Sequence, residues 1–401
     1  MMKERRLKRV GLDFIVNIFA SSLMTIVLQL LIYPFFSQKL SSVQYGTILT
    51  IMGVVNTFIG TVGNSLNNVR LVCNNQYERD NNGDFNILLI IGSLFAMVAC
   101  FLVIKVYVCL SFSVSVLILF ALLLGIARTY YSVSFRIILD FNKVFFCNLC
   151  ISMGYLAGGI IVWLGGSWIF VFIFGEFAGL LYLKKYSFVI SLEFYRTSDF
   201  GETTKKYIYF AGAALISNAI VYLDRLFILP VLGGENVAIY SVSSIMGKSI
   251  GMAMLPVAGV LLGYFAQKEF YMSRKIFNMV SGVSFIICTL FYIVSLAIAE
   301  PVVGILYPSL VNSAKQYMYL ANLAAVIEIF SGMLLPIVLK YGKSYWQVIV
   351  NIVYGVLFCS LGIYFSLNYA LLGFCYATLI ANSVRVAILY MISRRYINEN
   401  K

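Results

Sequence analysis

Arg128, Ser132 and Arg136 follow one another at steps of four inside an apolar run, with Asp140 four residues further on. Steps of four keep side chains on one face of a helix. Arg225, Lys248 and Arg385 are further cations inside apolar runs, and Asp224, Glu176 and Glu328 are the acids found in such runs. An ionised side chain at the centre of a membrane helix costs about 2.5–3.5 kcal/mol on insertion scales, so each needs a partner or a watery space. A guanidinium suits phosphate because it offers two parallel hydrogen bonds. Arg128, Arg225, Lys248 and Arg385 are therefore the candidate ligands for an anionic group. Of the acids, Glu176 and Glu328 read as isolated buried carboxylates. The chain has no His.

Neutral polar residues accompany the charges. Asn17, Ser21, Thr25 and Gln29 form one stripe, and Asn56, Gly60, Asn64 and Asn67 form another. Ser241 and Ser244 precede Lys248, Thr378 and Asn382 precede Arg385, and Asn218 stands seven residues before Arg225. Taken singly, such residues read as fasteners between membrane helices. The G-x-x-x-G spacings Gly154/Gly158, Gly175/Gly179, Gly247/Gly251 and Gly259/Gly263 read as close helix packing. Cys147 and Cys150 make a C-x-x-C, but zinc would need two more Cys or His nearby, so they read as small packing residues. No nucleotide loop or nucleophile–base pair is present, so neither an enzyme nor a cofactor is expected.

These residues must be positioned by membrane helices. The chain is 61% hydrophobic and 11% charged, outside the range of soluble domains. Apolar runs of about 20 residues, enough to cross the bilayer, are read at 14–36, 45–67, 86–110, 113–136, 144–164, 167–185, 207–231, 237–263, 276–299, 314–339, 344–366 and 370–392. The opening MMKERRLKRV resembles the start of a signal peptide, yet the apolar run after it is too long for one and is read as a retained helix. Lys and Arg crowd alternate connections. Lys3, Arg5, Arg6, Lys8 and Arg9 precede the first span, Arg70 and Arg79 follow the second, and Arg136 and Lys143 follow the fourth. Lys184, Lys185, Arg196, Lys205 and Lys206 follow the sixth, and Lys268, Arg274 and Lys275 follow the eighth. Lys340 and Lys343 follow the tenth, while Arg394, Arg395 and Lys401 close the chain. The other connections hold little beyond Lys39 and Lys315. By the positive-inside rule both termini are cytoplasmic. The net charge of +13 thus belongs to membrane orientation, and nucleic acid is not an expected partner.

The stretch KKYSFVISLEFYRTSDFGETTKKY divides the spans into six and six. The segment LIYPFFSQKLSSVQYGTILTIMG at 31–53 can be laid on LFILPVLGGENVAIYSVSSIMG at 226–247, matching Pro34 with Pro230 and Tyr45 with Tyr240. The reading is an all-α polytopic membrane protein, its twelve helices in two six-helix bundles (1–196 and 197–401) around a central cavity. Two parallel repeats of this kind suit alternating access.

The twelve-span plan, the basic start, LSSVQYGTILTIMG, YLDRLFILPVLGGENVAIYSV and ILYPSLVNSAKQYMYLANLAAV together resemble the polysaccharide (O-antigen) flippases of the multidrug/oligosaccharidyl-lipid/polysaccharide exporter superfamily. The resemblance implies movement of undecaprenyl-diphosphate-linked oligosaccharide across a bacterial cytoplasmic membrane, from the cytoplasmic to the periplasmic leaflet. Arg128, Arg225, Lys248 and Arg385 would neutralise diphosphate or acidic sugars, and Asp224, Glu328 or Glu176 would bind H+ or Na+. A polysaccharide polymerase and a chain-length regulator would be partners, besides the membrane lipids. The competing readings are a cation-coupled multidrug exporter of the same superfamily and a membrane polysaccharide polymerase. The first should favour apolar and acidic walls, and the second a long periplasmic loop with catalytic Arg.

Overall fold

The computed structural model describes residues 22–74, 76–77, 82–108, 110–251, 273–341 and 345–399. Lys3, Arg5, Arg6, Lys8, Arg9, Asn17, Ser21, Arg79, Gly259, Gly263, Lys268, Lys343 and Lys401 lie outside the described residues, as do parts of the spans read at 14–36 and 237–263. Among the described residues every regular element is a helix. Among the described residues seven helices are long and apolar enough to cross a membrane, and eight if one bent pair is a single span. This is a multi-pass membrane protein.

In chain order, α1 covers 22–39, α2 Ser42–Val72, α3 Gly83–Tyr107, α4 Phe112–Ile137 and α5 Phe141–Trp163. Next come α6 Ile169–Tyr186, α7 Phe200–Val221, α8 Leu223–Leu232 and α9 Gly234–Ser243, then α10 at 245–251. Helix α11 is Arg274–Leu306, α12 Val311–Tyr341 and α13 Tyr345–Glu399, the last broken by non-helical backbone at Tyr369 and Ala370. The helices overrun the apolar runs at several ends, because polar residues there still continue the helical hydrogen bonding. The run read at 207–231 is not one straight helix: α7 and α8 meet at Tyr222 with a bend of 53°. Gly233 has φ +86°, open to glycine without the steric cost a Cβ would bring, and it turns the chain from α8 into α9.

The chain divides into two compact units. The first takes in Met1–Lys39 and Ile48–Leu226, the second Leu40–Thr47 and Phe227–Lys401. In the second unit the two repeated segments touch each other. A Cβ on Gly46 would lie 1.8 Å from the Gly234 carbonyl oxygen, and one on Gly234 would lie 2.6 Å from that of Val43. The repeat tyrosines Tyr45 and Tyr240 are both buried there. Tyr240 packs edge-on against Phe374 at 5.0 Å, and Phe374 stacks on Phe227 at 5.4 Å.

In the first unit, α5 and α6 pack through the glycines at 154, 158, 175 and 179. A Cβ on Gly158 would come within 2.5 Å of the Val171 backbone, and one on Gly175 within 2.1 Å of the Tyr155 ring. Two elements here depart from the charge reading. Arg70, read as a loop cation, lies in the last turn of α2 and is fully buried, 4.7 Å above the Phe85 ring and 5.4 Å from that of Tyr77. Aromatic faces hold a guanidinium through their negative quadrupole, a contact that composition cannot reveal. The connection 187–199, read as the divide between the two halves, is strapped to the start of α3. The buried Asp84 carboxylate accepts from Tyr77 Oη at 2.8 Å, Thr197 N at 2.9 Å and Thr197 Oγ1 at 2.5 Å. Asn86 Nδ2 donates to the carbonyls of Ser191 at 3.1 Å and Glu193 at 2.9 Å. Tyr77 Oη also meets Thr203 Oγ1 at 2.8 Å, which ties α7 into the same network.

Candidate functional site

A cavity of about 980 Å³ lies within the first unit. Its walls come from α1, α2, α4, α5, α6, α7 and α8, and backbone irregularities line it repeatedly. Helix α1 has a π-helical turn at Leu28–Ile32 and α2 another at Gly60–Asn64. Leu28 and Gln29 from the first, and Gly60 and Asn64 from the second, face the cavity, as do Tyr222 and Arg225 around the α7–α8 break. Such π turns are frequent at functional sites. A Cβ on Gly60 would lie 2.6 Å from Asn218 Nδ2, so the glycine lets α2 and α7 approach.

Arg128, Ser132 and Arg136 all reach this wall, so the stripe of step four is one face of α4 turned to the cavity. Arg128 is not held by the cavity alone. Its Nε donates to Glu176 Oε2, and its Nη2 donates to Glu176 Oε1 at 3.3 Å. Glu176 is therefore not the isolated acid its sequence context suggested. Gly179, one turn after Glu176 on α6, leaves the room: a Cβ there would lie 2.9 Å from Arg128 Cδ. The side chains of Arg128 and Glu176 are 14% and 8% exposed, and both line the cavity. Tyr155 Oη donates a long hydrogen bond of 3.5 Å to Glu176 Oε1.

Arg136 sits two turns along α4, about 12 Å from Arg128 at 1.5 Å per residue. Its Nη1 donates to Asn67 Oδ1 at 2.6 Å and to Asn68 Oδ1 at 3.2 Å. Asn67 in turn donates through Nδ2 to the Thr129 carbonyl at 2.9 Å, which fixes the amide that orients the guanidinium. These partners are neutral, so they direct the charge without cancelling it. Arg225 reaches the cavity from α8, with Nη1 3.3 Å from the Leu49 carbonyl oxygen and its guanidinium 5.7 Å from the Tyr222 ring. Asp224 is buried, and its Oδ1 accepts the Arg225 backbone N–H at 2.7 Å.

The remaining residues singled out from sequence belong to the second unit. Lys248 Nζ lies 5.4 Å from the Tyr240 ring centre. Arg385 lies 4.9 Å over the Tyr354 ring, with Nη2 3.5 Å from Asn351 Oδ1. Glu328 is half-buried on α12. The first unit thus brings Arg128, Arg225 and Glu176 to one cavity, which Asp224, buried in the same unit, does not line. Several polar stripes act as fasteners: Asn382 Nδ2 donates to the Ala324 carbonyl at 2.9 Å, and Asn322 Oδ1 accepts from Gly247 N at 2.6 Å. Thr25, Gln29, Asn56 and Asn64, by contrast, line the cavity.

Sequence reasoning assigned no role at this site to Tyr33, Tyr155 or Tyr222. Twenty-eight tyrosines give no sign of which few meet in one place. Among the described residues no group of three His, Cys, Asp or Glu could hold a metal ion.

No protein-family model matches the chain, and no curated protein matches it. Its fold matches solved structures over nearly its whole length. A multidrug-resistance MATE family transporter of the MOP superfamily, in an inward-facing conformation, superposes with a TM-score of 0.69 at 12% identity, covering 96% of this chain and 98% of that one. The lipid II flippase MurJ, in an inward closed conformation, gives 0.65 at 15% identity, covering 95% and 86%. A MOP superfamily transporter from Pyrococcus furiosus, described by a binding pocket of reversed polarity that suggests a different function, gives 0.65 at 14% identity, covering 96% and 95%.

Proposed function

We propose that this protein is a flippase that carries undecaprenyl-diphosphate-linked oligosaccharide from the cytoplasmic to the periplasmic leaflet of a bacterial cytoplasmic membrane, by ion-coupled alternating access. Twelve spans with both termini cytoplasmic complete this reading. The observation that carries it is the polarity of the cavity: among the described residues three guanidiniums, those of Arg128, Arg136 and Arg225, line it against the one carboxylate of Glu176. An excess of cations in a low-dielectric space attracts an anionic headgroup and repels a cationic drug. The carboxamides of Gln29, Asn56, Asn64, Asn148 and Asn218 and the ring of Tyr222 line the same space and offer the donors, acceptors and aromatic face that sugar hydroxyls and sugar rings use.

Lys248 and Arg385 are assigned to the same anionic substrate, and Asp224, Glu328 or Glu176 to the coupling H+ or Na+. The fold is similar to those of multidrug transporters and of a lipid II flippase alike, so the cavity charge is what separates the two readings. A polymerase and a chain-length regulator of the same pathway are the proposed protein partners.

The test is made in a surface-polysaccharide-producing bacterium lacking this gene. Complete lipid-linked repeat units should collect on the cytoplasmic face and be cleared by the wild-type gene. Normal export without the gene would remove the flippase reading and favour a drug exporter, while unpolymerised units on the periplasmic face would favour a polymerase.

A further inference from the structure

The Arg128–Glu176 pair is displayed to the cavity, not sealed in a helix interface: both side chains line it. As the pair stands, the carboxylate holds the Nε and Nη2 edge of the guanidinium. That is one of the two edges through which an arginine takes an anion by two parallel bonds, the other being its Nη1 and Nη2 end. Arg136 differs. Its orientation comes from two amide oxygens, at 2.6 and 3.2 Å, so its full charge faces the same space.

We propose that Glu176 is a built-in competitor for Arg128, and that an anionic substrate is admitted by exchange of this ion pair after first contact at Arg136. The inference rests on the anionic-substrate reading above and specifies its selectivity. A neutral or cationic solute has no charge with which to compete for the Arg128 edge that Glu176 holds. A carboxylate-like monoanion merely replaces one carboxylate by another and leaves Glu176 unpaired at low dielectric. A diphosphate brings more charge and more acceptor oxygens than the carboxylate it displaces, and it can span from one guanidinium towards the next. The displaced Glu176 stays within reach of the Tyr155 hydroxyl, which already lies 3.5 Å away. Discrimination arises because the wrong ligand meets an unfavourable exchange, beyond any extra attraction for the right one. The same competition returns Arg128 to Glu176 when the substrate leaves, which prevents the cavity from becoming a trap. Binding that is too tight in the ground state slows turnover.

The test uses the full chain in lipid nanodiscs, titrated with inorganic pyrophosphate in one arm and with undecaprenyl diphosphate in the bilayer in the other. Glu176→Gln should bind about tenfold more tightly than wild type, a gain of about 1.4 kcal/mol, and Arg136→Gln about tenfold more weakly. The double variant Arg128→Gln/Glu176→Gln should lose the gain. If Glu176→Gln does not fold, Glu176→Asp, whose shorter carboxylate weakens the pair, should give a severalfold tightening. Tightening in both arms identifies the diphosphate as the recognised group, and tightening in the lipid arm alone identifies the lipid-borne form. Wild-type binding that is unchanged in the folded Glu176 variants, or a gain that persists without Arg128, would overturn the exchange and leave the anionic cavity standing. Absence of binding to every variant in both arms would overturn the anionic reading itself.

Discussion

Glu176 holds Arg128 along one edge of its guanidinium, between two helices and at the wall of a cavity. A buried ion pair of this kind adds little to stability compared with an apolar pair of similar volume, because both charges lose their water. Its placement makes sense as chemistry offered to the cavity, and it sets the first prediction.

Replacing Arg128 by Met leaves the Glu176 carboxylate buried without its cation. The loss should be about 3 kcal/mol, near the lower end for a broken buried pair because the cavity admits water. Arg128→Met/Glu176→Leu should recover most of that loss. Unfolding of the purified chain in detergent checks this, and equal losses in the single and double variants would contradict it.

Gly179→Val tests the room that the pair needs. A Cβ there would lie 2.9 Å from Arg128 Cδ and 2.7 Å from Ile151 Cγ1, so overpacking should cost about 1–3 kcal/mol and lower polymer export severalfold. Gly212, inside α7, has nothing within 4 Å of its added Cβ, and Gly212→Ala should leave export unchanged and gain about 0.5–1 kcal/mol from the better helix former. Export unaffected by Gly179→Val would show that the geometry of the pair does not matter.

Asp84 receives bonds from Tyr77 and twice from Thr197. Asp84→Ala should cost about 3 kcal/mol through the buried donors it strands, and it should release 187–199 to added protease. Cleavage at the wild-type rate would contradict the strap.

Tyr77 gives that network a pH signature. Burial most of all, and the Asp84 carboxylate beside it, push the Tyr77 phenol up to about 12, against the opposing pull of its Thr203 hydrogen bond. The unfolded chain would ionise first, near the ordinary value of about 10. This group therefore leaves stability unchanged below about pH 10 and lowers it as pH rises from about 10 to 12. Wild type should lose stability relative to Tyr77→Phe across that window, and a constant gap between the two would contradict the assignment.

How much of this was legible in the sequence differs from residue to residue. The Arg128–Ser132–Arg136 face could be read because helical period alone decides which side chains share a stripe. The partner of Arg128 could not, since it depends on α6 lying beside α4 and on the missing Cβ at Gly179. Arg70 was misread for a similar reason: its aromatic neighbours Tyr77 and Phe85 come from the chain beyond the end of its own helix. The connection 187–199 carries no motif that marks its anchorage, which rests on the buried Asp84 and Asn86 of α3. Apolar runs revealed the helices themselves, but neither the π turns of α1 and α2 nor the break at Tyr222. Those features follow from local backbone geometry, which hydropathy does not record.

The cationic residues supply a wider test. Arg225→Ala and Arg385→Ala, each shown to be folded and in the membrane, should each lower export of polymer by about tenfold or more, as expected when about 1.4 kcal/mol of anion stabilisation is lost. Normal export by both would remove the cationic-cavity account.

The most direct measurement places the purified chain in proteoliposomes carrying undecaprenyl-diphosphate-linked oligosaccharide and follows its exposure to an external glycosidase. Wild type should raise the accessible fraction from about half, the value for lipid spread equally over two leaflets, towards completeness, and Arg128→Gln/Arg225→Gln should not. Wild-type vesicles that keep half of the lipid protected, yet move a cationic dye, would contradict an anionic-headgroup flippase and leave a drug exporter in its place.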